Sequence, residues 1–151
     1  MVTVTDHENN IPWIVKQMKQ LDGTEVSAGV HGTAGSKQVD KAMKHEFGLG
    51  NVPKRPFVRP AWSILRNTLP KEVDASLQDI VEEGQDALGA ATKVGLVMYD
   101  QIRREFGEHG PPLSPITIAK KGSSAKLVDT GRLKQSLAAK VDGSVIPQTE
   151  D

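Results

Sequence analysis

The chain has 151 residues with 19 basic and 19 acidic side chains, a length that favours one domain and a net charge of zero that argues against a dedicated nucleic-acid binder. Aromatic residues make up only 4% and apolar residues 37%, so the core is lean and neighbouring subunits are expected to share in ordering it. The absence of cysteine excludes disulfides and thiol chemistry; with no apolar run near the roughly 18 residues that span a bilayer, and no basic or apolar leader in MVTVTDHENN, a soluble intracellular product is expected.

Asn9-Asn10 before Ile11-Pro12 reads as a helix cap with proline in the first turn. Ile11, Ile14, Val15, Met18 and Leu21 then form one apolar stripe at helical spacing, stopped by Asp22-Gly23. From Thr24 to Gly32 the pattern alternates, with Val26, Ala28 and Val30 on one side, which predicts a half-buried strand. A brief helix over Gln38–Phe47 is closed by Gly48. Residues 48–60, GLGNVPKRPFVRP, hold three prolines within eight positions and predict an extended arm or loop presenting Phe57 and Val58.

Ala61–Thr68 reads as helical, and Pro70 as the opening of a longer helix. Its stripe runs Val73, Leu77, Val81, Gly84, Leu88, Ala91, Gly95, Met98, Ile102 and Phe106, on the order of 50 Å at about 1.5 Å per residue. Gly84, Gly89 and Gly95 each cost roughly 1 kcal/mol of helix propensity, so one long bent helix or two consecutive ones are expected. Gly107 and Gly110-Pro111-Pro112 end the stretch, and PPLSPITIAKKGSSAK reads as a loop. Asp129-Thr130-Gly131 is expected to cap a short helix carrying Leu133 and Leu137 on one face. Asp142-Gly143 between Ala139–Val141 and Ser144–Ile146 predicts a two-residue hairpin, with QTED as a frayed, disordered tail. The elements add up to an α+β domain over residues 1–151: one long or kinked helix with shorter helices, packed on a small, mainly antiparallel sheet.

Leu127-Val128-Asp129-Thr130-Gly131 is the string that most resembles a catalytic one, because aspartic proteases use an Asp-Thr-Gly turn. Here Arg132 follows, where its charge would oppose a proton-sharing carboxylate pair, and the segment continues as helix. Asp129 and Thr130 are therefore read as structural caps. His7, His31, His45 and His109 have no metal-ligand spacing, and His45-Glu46 lacks a second histidine four residues on. No catalytic residue, cofactor or metal is expected, and the chain is not read as an enzyme.

The charges fall in blocks: seven basic against two acidic over 37–66, four against nine over 71–108, and six against one over 119–140. Solvated faces of different sign explain this, and so does charge complementarity between copies. Arg55, Arg59 and Arg66 with Phe57 and Trp62 between them fit an aromatic-basic nucleic-acid patch or an interface arm, since arginine and aromatics are enriched at protein–protein hot spots. The interface reading is favoured, and a proline-rich arm loses little entropy on docking.

Two segments together resemble the tail-completion and head–tail joining (neck) proteins of long-tailed bacteriophages. Ala42–Ala61, AMKHEFGLGNVPKRPFVRPA, is similar to that family's His-Glu-Phe-Gly string, variable loop and (Ile/Val)-Pro-x-Arg-Pro-Phe segment. Pro111–Leu137, PPLSPITIAKKGSSAKLVDTGRLKQSL, is similar to its Pro-Leu-Ser-x-x-Thr-Ile run followed by a Leu-x-Asp-Thr-Gly-x-Leu-x-x-Ser block. With the helical stretch between them, the resemblance covers about residues 24–141. The chain departs from the family in stopping soon after its hairpin, which implies a C-terminal sheet that is smaller or completed by a neighbour.

The resemblance implies a structural virion subunit that assembles into a ring, typically a hexamer, between head connector and tail tube. It would act at the neck after assembly in the host cytoplasm, in contact with adaptor and tail or terminator proteins. Phage DNA would pass through unread, and no membrane is involved. A tail terminator or head-closure ring is the alternative within that class, and a nucleic-acid-binding module using the two basic blocks is the alternative outside it. On this reading Phe47, Arg55, Phe57, Arg59 and Trp62 contact neighbouring subunits or the adjoining ring. Glu82, Glu83 and Asp86 are either channel-lining acids or an ordinary solvated helix face.

Overall fold

The computed structural model describes residues 10–127 and 131–147. Asp129, Thr130 and the C-terminal QTED lie outside the described residues, as does His7. The chain runs α1 (Ile11–Leu21), β1 (Val26–Val30), a 3-10 turn (Gly32–Ala34), α2 (Ser36–Phe47), α3 (Val58–Glu82), α4 (Ala87–Glu105), α5 (Pro115–Lys121), α6 (Arg132–Gln135), β2 (Leu137–Val141) and β3 (Ser144–Val145). It is an α+β fold in which α4 packs between α3 and a three-stranded antiparallel sheet of order β1-β2-β3.

In β1, Val26, Ala28 and Val30 pack half-buried against the two core clusters as the alternation predicts, while Gly29 on the other side is the buried residue. Val26 pairs with Val141 and Val30 with Leu137. The Asp142-Gly143 turn has positive φ at both residues, 48° and 78°, the condition for a type I′ hairpin. Asp142 also ties the sheet's end to β1, because its Oδ1 accepts from Glu25 N at 2.8 Å while its own N–H donates to Glu25 O at 2.9 Å. The 62° edge-to-face pair of Phe57 and Phe106, with centroids 5.0 Å apart, anchors one core cluster with Ala61, Ile102, Leu133 and Leu137. Ala91, Ala139, Val141 and Ile146 form the second, between α4 and the sheet.

Several expectations are corrected. The long apolar stripe is cut at Gly84, whose φ of +69° reverses the chain. Asp86 then caps α4, its carboxylate accepting from Gly89 N at 2.7 Å, so of the two expected arrangements the chain takes the two consecutive helices, with α3 and α4 folded back on each other as a hairpin. Val81 and Leu88, stripe members on either side of that break, are exposed. Pro70 does not open a helix but sits inside α3, on its exposed face, where the carbonyl it leaves unbonded can reach water. Residues 115–121 are not loop: Ser114 caps α5 through Thr117 N, Pro115 fills its first position, and Gly122 closes it at φ 71°.

Two further differences concern the caps and the first stripe. In α1 the side chain of Asn10 makes no capping hydrogen bond, Ile11 and Val15 face outward, and Gln17 is the buried residue. Its Oε1 accepts from Ala87 N at 2.8 Å, so α1 supplies a partner to an orphan donor at the start of α4. The short helix α6 ends at Gln135, leaving Leu137 to β2 while both Leu133 and Leu137 stay buried.

Candidate interface at the junction of α2 and α3

The two halves of the Ala42–Ala61 segment meet through one carboxylate. Glu46, in the last turn of α2, turns back over the start of α3. Its Oε2 accepts from Phe57 N at 2.8 Å and Val58 N at 3.0 Å, and its Oε1 from Arg59 N at 2.9 Å. A helix leaves its first N–H groups without intrahelical partners, and a carboxylate there also meets the positive end of the helix dipole. Arg59 closes the knot, with Nε 3.2 Å from Glu46 Oε1 and Nη2 donating to the Glu46 carbonyl at 2.5 Å.

Burial alone would push the Glu46 carboxyl up. The hydrogen bonds from Phe57, Arg59 and Val58 and the Arg59 side chain outweigh it, and the group is held below the usual glutamate range. His45, one residue earlier, is pushed down by burial and then by the nearby charges of Arg55 and Lys41.

The 111–137 segment joins the same centre. Arg55 Nε donates to Pro111 O at 3.2 Å, and Arg55 N to His45 O at 2.8 Å. Lys126 Nζ gathers the carbonyls of Glu108, His109 and Gly110, fastening the loop after α4. At Gly110 an added Cβ would come within 2.3 Å of Lys54 O, so the two backbones touch where only glycine fits.

This geometry sorts the five residues expected at an interface. Phe57 is 0% exposed and Arg55 7% exposed, so both belong to the chain's interior and the expectation that they stand out at a contact surface is corrected. Of the expected arm or loop, the segment from 48 to 57 is the loop, folded onto the body and not standing off as an arm, and the turn to helix comes at Val58. Phe47 and Trp62, by contrast, are 47% and 53% exposed, and the Arg59 side chain is 50% exposed.

The Arg59 guanidinium lies over the Phe47 ring, 4.6 Å from its centroid. Met43 stands one turn before Phe47, and Val58 one turn before Trp62, both exposed, so two short apolar rows flank Arg59. Glu46, which ties the start of α3 and Arg59 to α2, is not among the site residues expected from sequence. The available signal is that it is one of only two acids in a strongly basic stretch.

Among the described residues no group of three or more histidine, aspartate or glutamate side chains converges as a metal site, and no helix is long and apolar enough to cross a membrane. No family model matches the chain, and neither a curated protein nor a solved structure matches it.

Proposed function

We propose that the chain is a structural subunit of a tailed-phage particle that assembles into a ring at the head–tail junction, with Phe47, Arg59 and Trp62 at the centre of its contact surface. The observation that carries the reading is the Glu46 knot. It fastens the two halves of the neck-like Ala42–Ala61 segment to each other while leaving an aromatic–arginine–aromatic surface outside.

Tryptophan, arginine and phenylalanine are the residues enriched at the centres of protein interfaces. Here they sit on a pre-ordered frame, which lowers the entropy cost of docking. A contact of this kind, made head-to-tail with a different face of the next copy, closes into a ring when the rotation between copies divides a full turn.

The test is the mass of the purified full chain in solution, by light scattering behind size exclusion, alone and mixed with connector or tail parts. A ring-sized oligomer in either condition is expected, and Phe47→Asp with Trp62→Ala should leave a folded monomer. A chain that stays monomeric and joins no particle in phage lysates would sink the reading.

A further inference from the structure

On the far side of α2 from the Phe47 surface lies a cavity of about 430 Å³ whose polar lining is mostly cationic, Thr117 and His45 being the uncharged exceptions. Lys41 and His45 face it from successive turns of α2, Arg55 from the segment before α3, and Lys120 and Lys121 from the last turn of α5, over a floor that includes Leu133. No carboxylate among the described residues lines it. None of the four permanent cations takes part in an ion pair among the described residues, whose pairs join Lys44 to Asp40, Arg59 to Glu46, Lys93 to Asp79 and His109 to Glu105.

Like charges gathered round one concavity repel, and a fold keeps them there at a cost that a bound anion would relieve. Arg55 is also fixed in aim. Its Nε and Nη2 donate to the carbonyls of Pro111 and Pro112, while Nη1 makes no hydrogen bond within the described residues. A guanidinium with five N–H donors thus presents its remaining ones in a set geometry.

We propose that this cavity binds a phosphate group. A phosphate monoester brings close to two negative charges and three acceptor oxygens to a compact centre, whereas a carboxylate brings one charge. That suits a site of four permanent cations better. The volume lies in the range of pockets that hold small organic ligands, so the phosphate is carried on a larger molecule. Two sources share this chemistry: a free phosphorylated compound and the backbone of a nucleic-acid strand. The site is separate from the Phe47–Trp62 surface and stands whether or not the chain forms a ring.

The experiment is a titration of the isotope-labelled full chain with inorganic pyrophosphate at low salt, followed by NMR at the amides of Thr117 and Gly131 and the ring of His45. Saturable shifts confined to the cavity are expected. The histidine's titration midpoint should rise, because the anion offsets the Arg55, Lys41, Lys120 and Lys121 charges facing it.

Lys41→Gln with Lys120→Gln, both at exposed positions, should weaken binding at least tenfold while leaving the fold's spectrum intact. A single-stranded oligonucleotide that displaces pyrophosphate assigns the phosphate to nucleic acid, and one that does not assigns it to a free compound. Shifts that never saturate, or that ignore the double substitution, would overturn the proposal. So would a polyglutamate peptide that occupies the cavity more tightly than pyrophosphate, which would make the ligand a carboxylate-bearing protein.

Discussion

Glu46 and Arg59 grip each other from two sides: the arginine's Nε meets the glutamate's side chain at 3.2 Å, and its Nη2 meets the glutamate's own carbonyl at 2.5 Å. The carboxylate is therefore shared between a helix start and a guanidinium, and removing it leaves N–H groups of α3 without acceptors in a partly buried place. Hydrogen bonds to a charged group are worth about 1.5–3 kcal/mol, and a helix cap about 1 kcal/mol. Glu46→Ala should lower stability by about 2–3 kcal/mol and Glu46→Gln by less, read from the shift in urea midpoint at unchanged slope.

The same knot sets a pH dependence with a definite sign. Glu46 is held below the ordinary glutamate range, so the folded chain binds fewer protons there than the unfolded one. Its stabilisation is full above the ordinary value, about pH 4.3, and is lost as pH falls through the lower folded-state value. Glu46→Gln should flatten that acid limb.

His45, also lowered, acts at milder pH. Its neutral form is the one the fold prefers, so stability begins to drop as pH falls through the ordinary histidine value, about 6.5. The loss is complete once the folded-state value is passed. His45→Gln should remove that upper step and leave the lower one. Stability curves against pH for both variants separate the two.

Phe57 and Trp62 are five residues apart and should behave in opposite ways. Phe57 is wholly buried against Phe106, so Phe57→Ala should cost about 3–5 kcal/mol as large core truncations do. Trp62 is more than half exposed, and Trp62→Ala should stay within about 0.5 kcal/mol of the parent in the isolated chain. If the ring reading holds, the order reverses for assembly: Trp62→Ala should impair association where it barely touches folding. Parallel denaturation and light-scattering measurements on the two variants distinguish these roles.

The elements legible in the sequence are those set by local rules. Period-two alternation marked β1, the Gly48 stop marked α2, and Asp142-Gly143 marked the β2–β3 hairpin, each with its ends within two residues. Phe57 and Arg55 were not legible as interior residues, because a proline-rich stretch with aromatics and arginines looks exposed when read alone. What buries them lies far along the chain: Phe106 for the ring, Pro111 for the guanidinium.

Gly84 looked like one of three similar glycines, yet it reverses the chain while Gly95 continues a helix. The difference arises because Asp86 caps a new helix and Gln17 of α1 takes its first N–H. For α5 the Ser114-Pro115 start and Gly122 stop were present, but seven residues are too few for apolar periodicity to show.

Gly95 offers a last test, of how α4 approaches the sheet. A Cβ placed there would lie 2.7 Å from Ile146 Cδ1 and 3.3 Å from Val26 Cγ1. Alanine is favoured over glycine inside a helix by about 1 kcal/mol, and the nearest atom is the end of a side chain that can turn aside. Gly95→Ala should therefore change stability by less than about 1 kcal/mol. Gly95→Val adds methyl groups with no room to move into, and overpacking should cost about 2–3 kcal/mol. Trimming the neighbour with Ile146→Val removes the contacted methyl, so Gly95→Ala in that background should turn stabilising. A double-mutant cycle on thermal midpoints measures the coupling; a coupling near zero would mean that α4 does not press on Ile146 at this point.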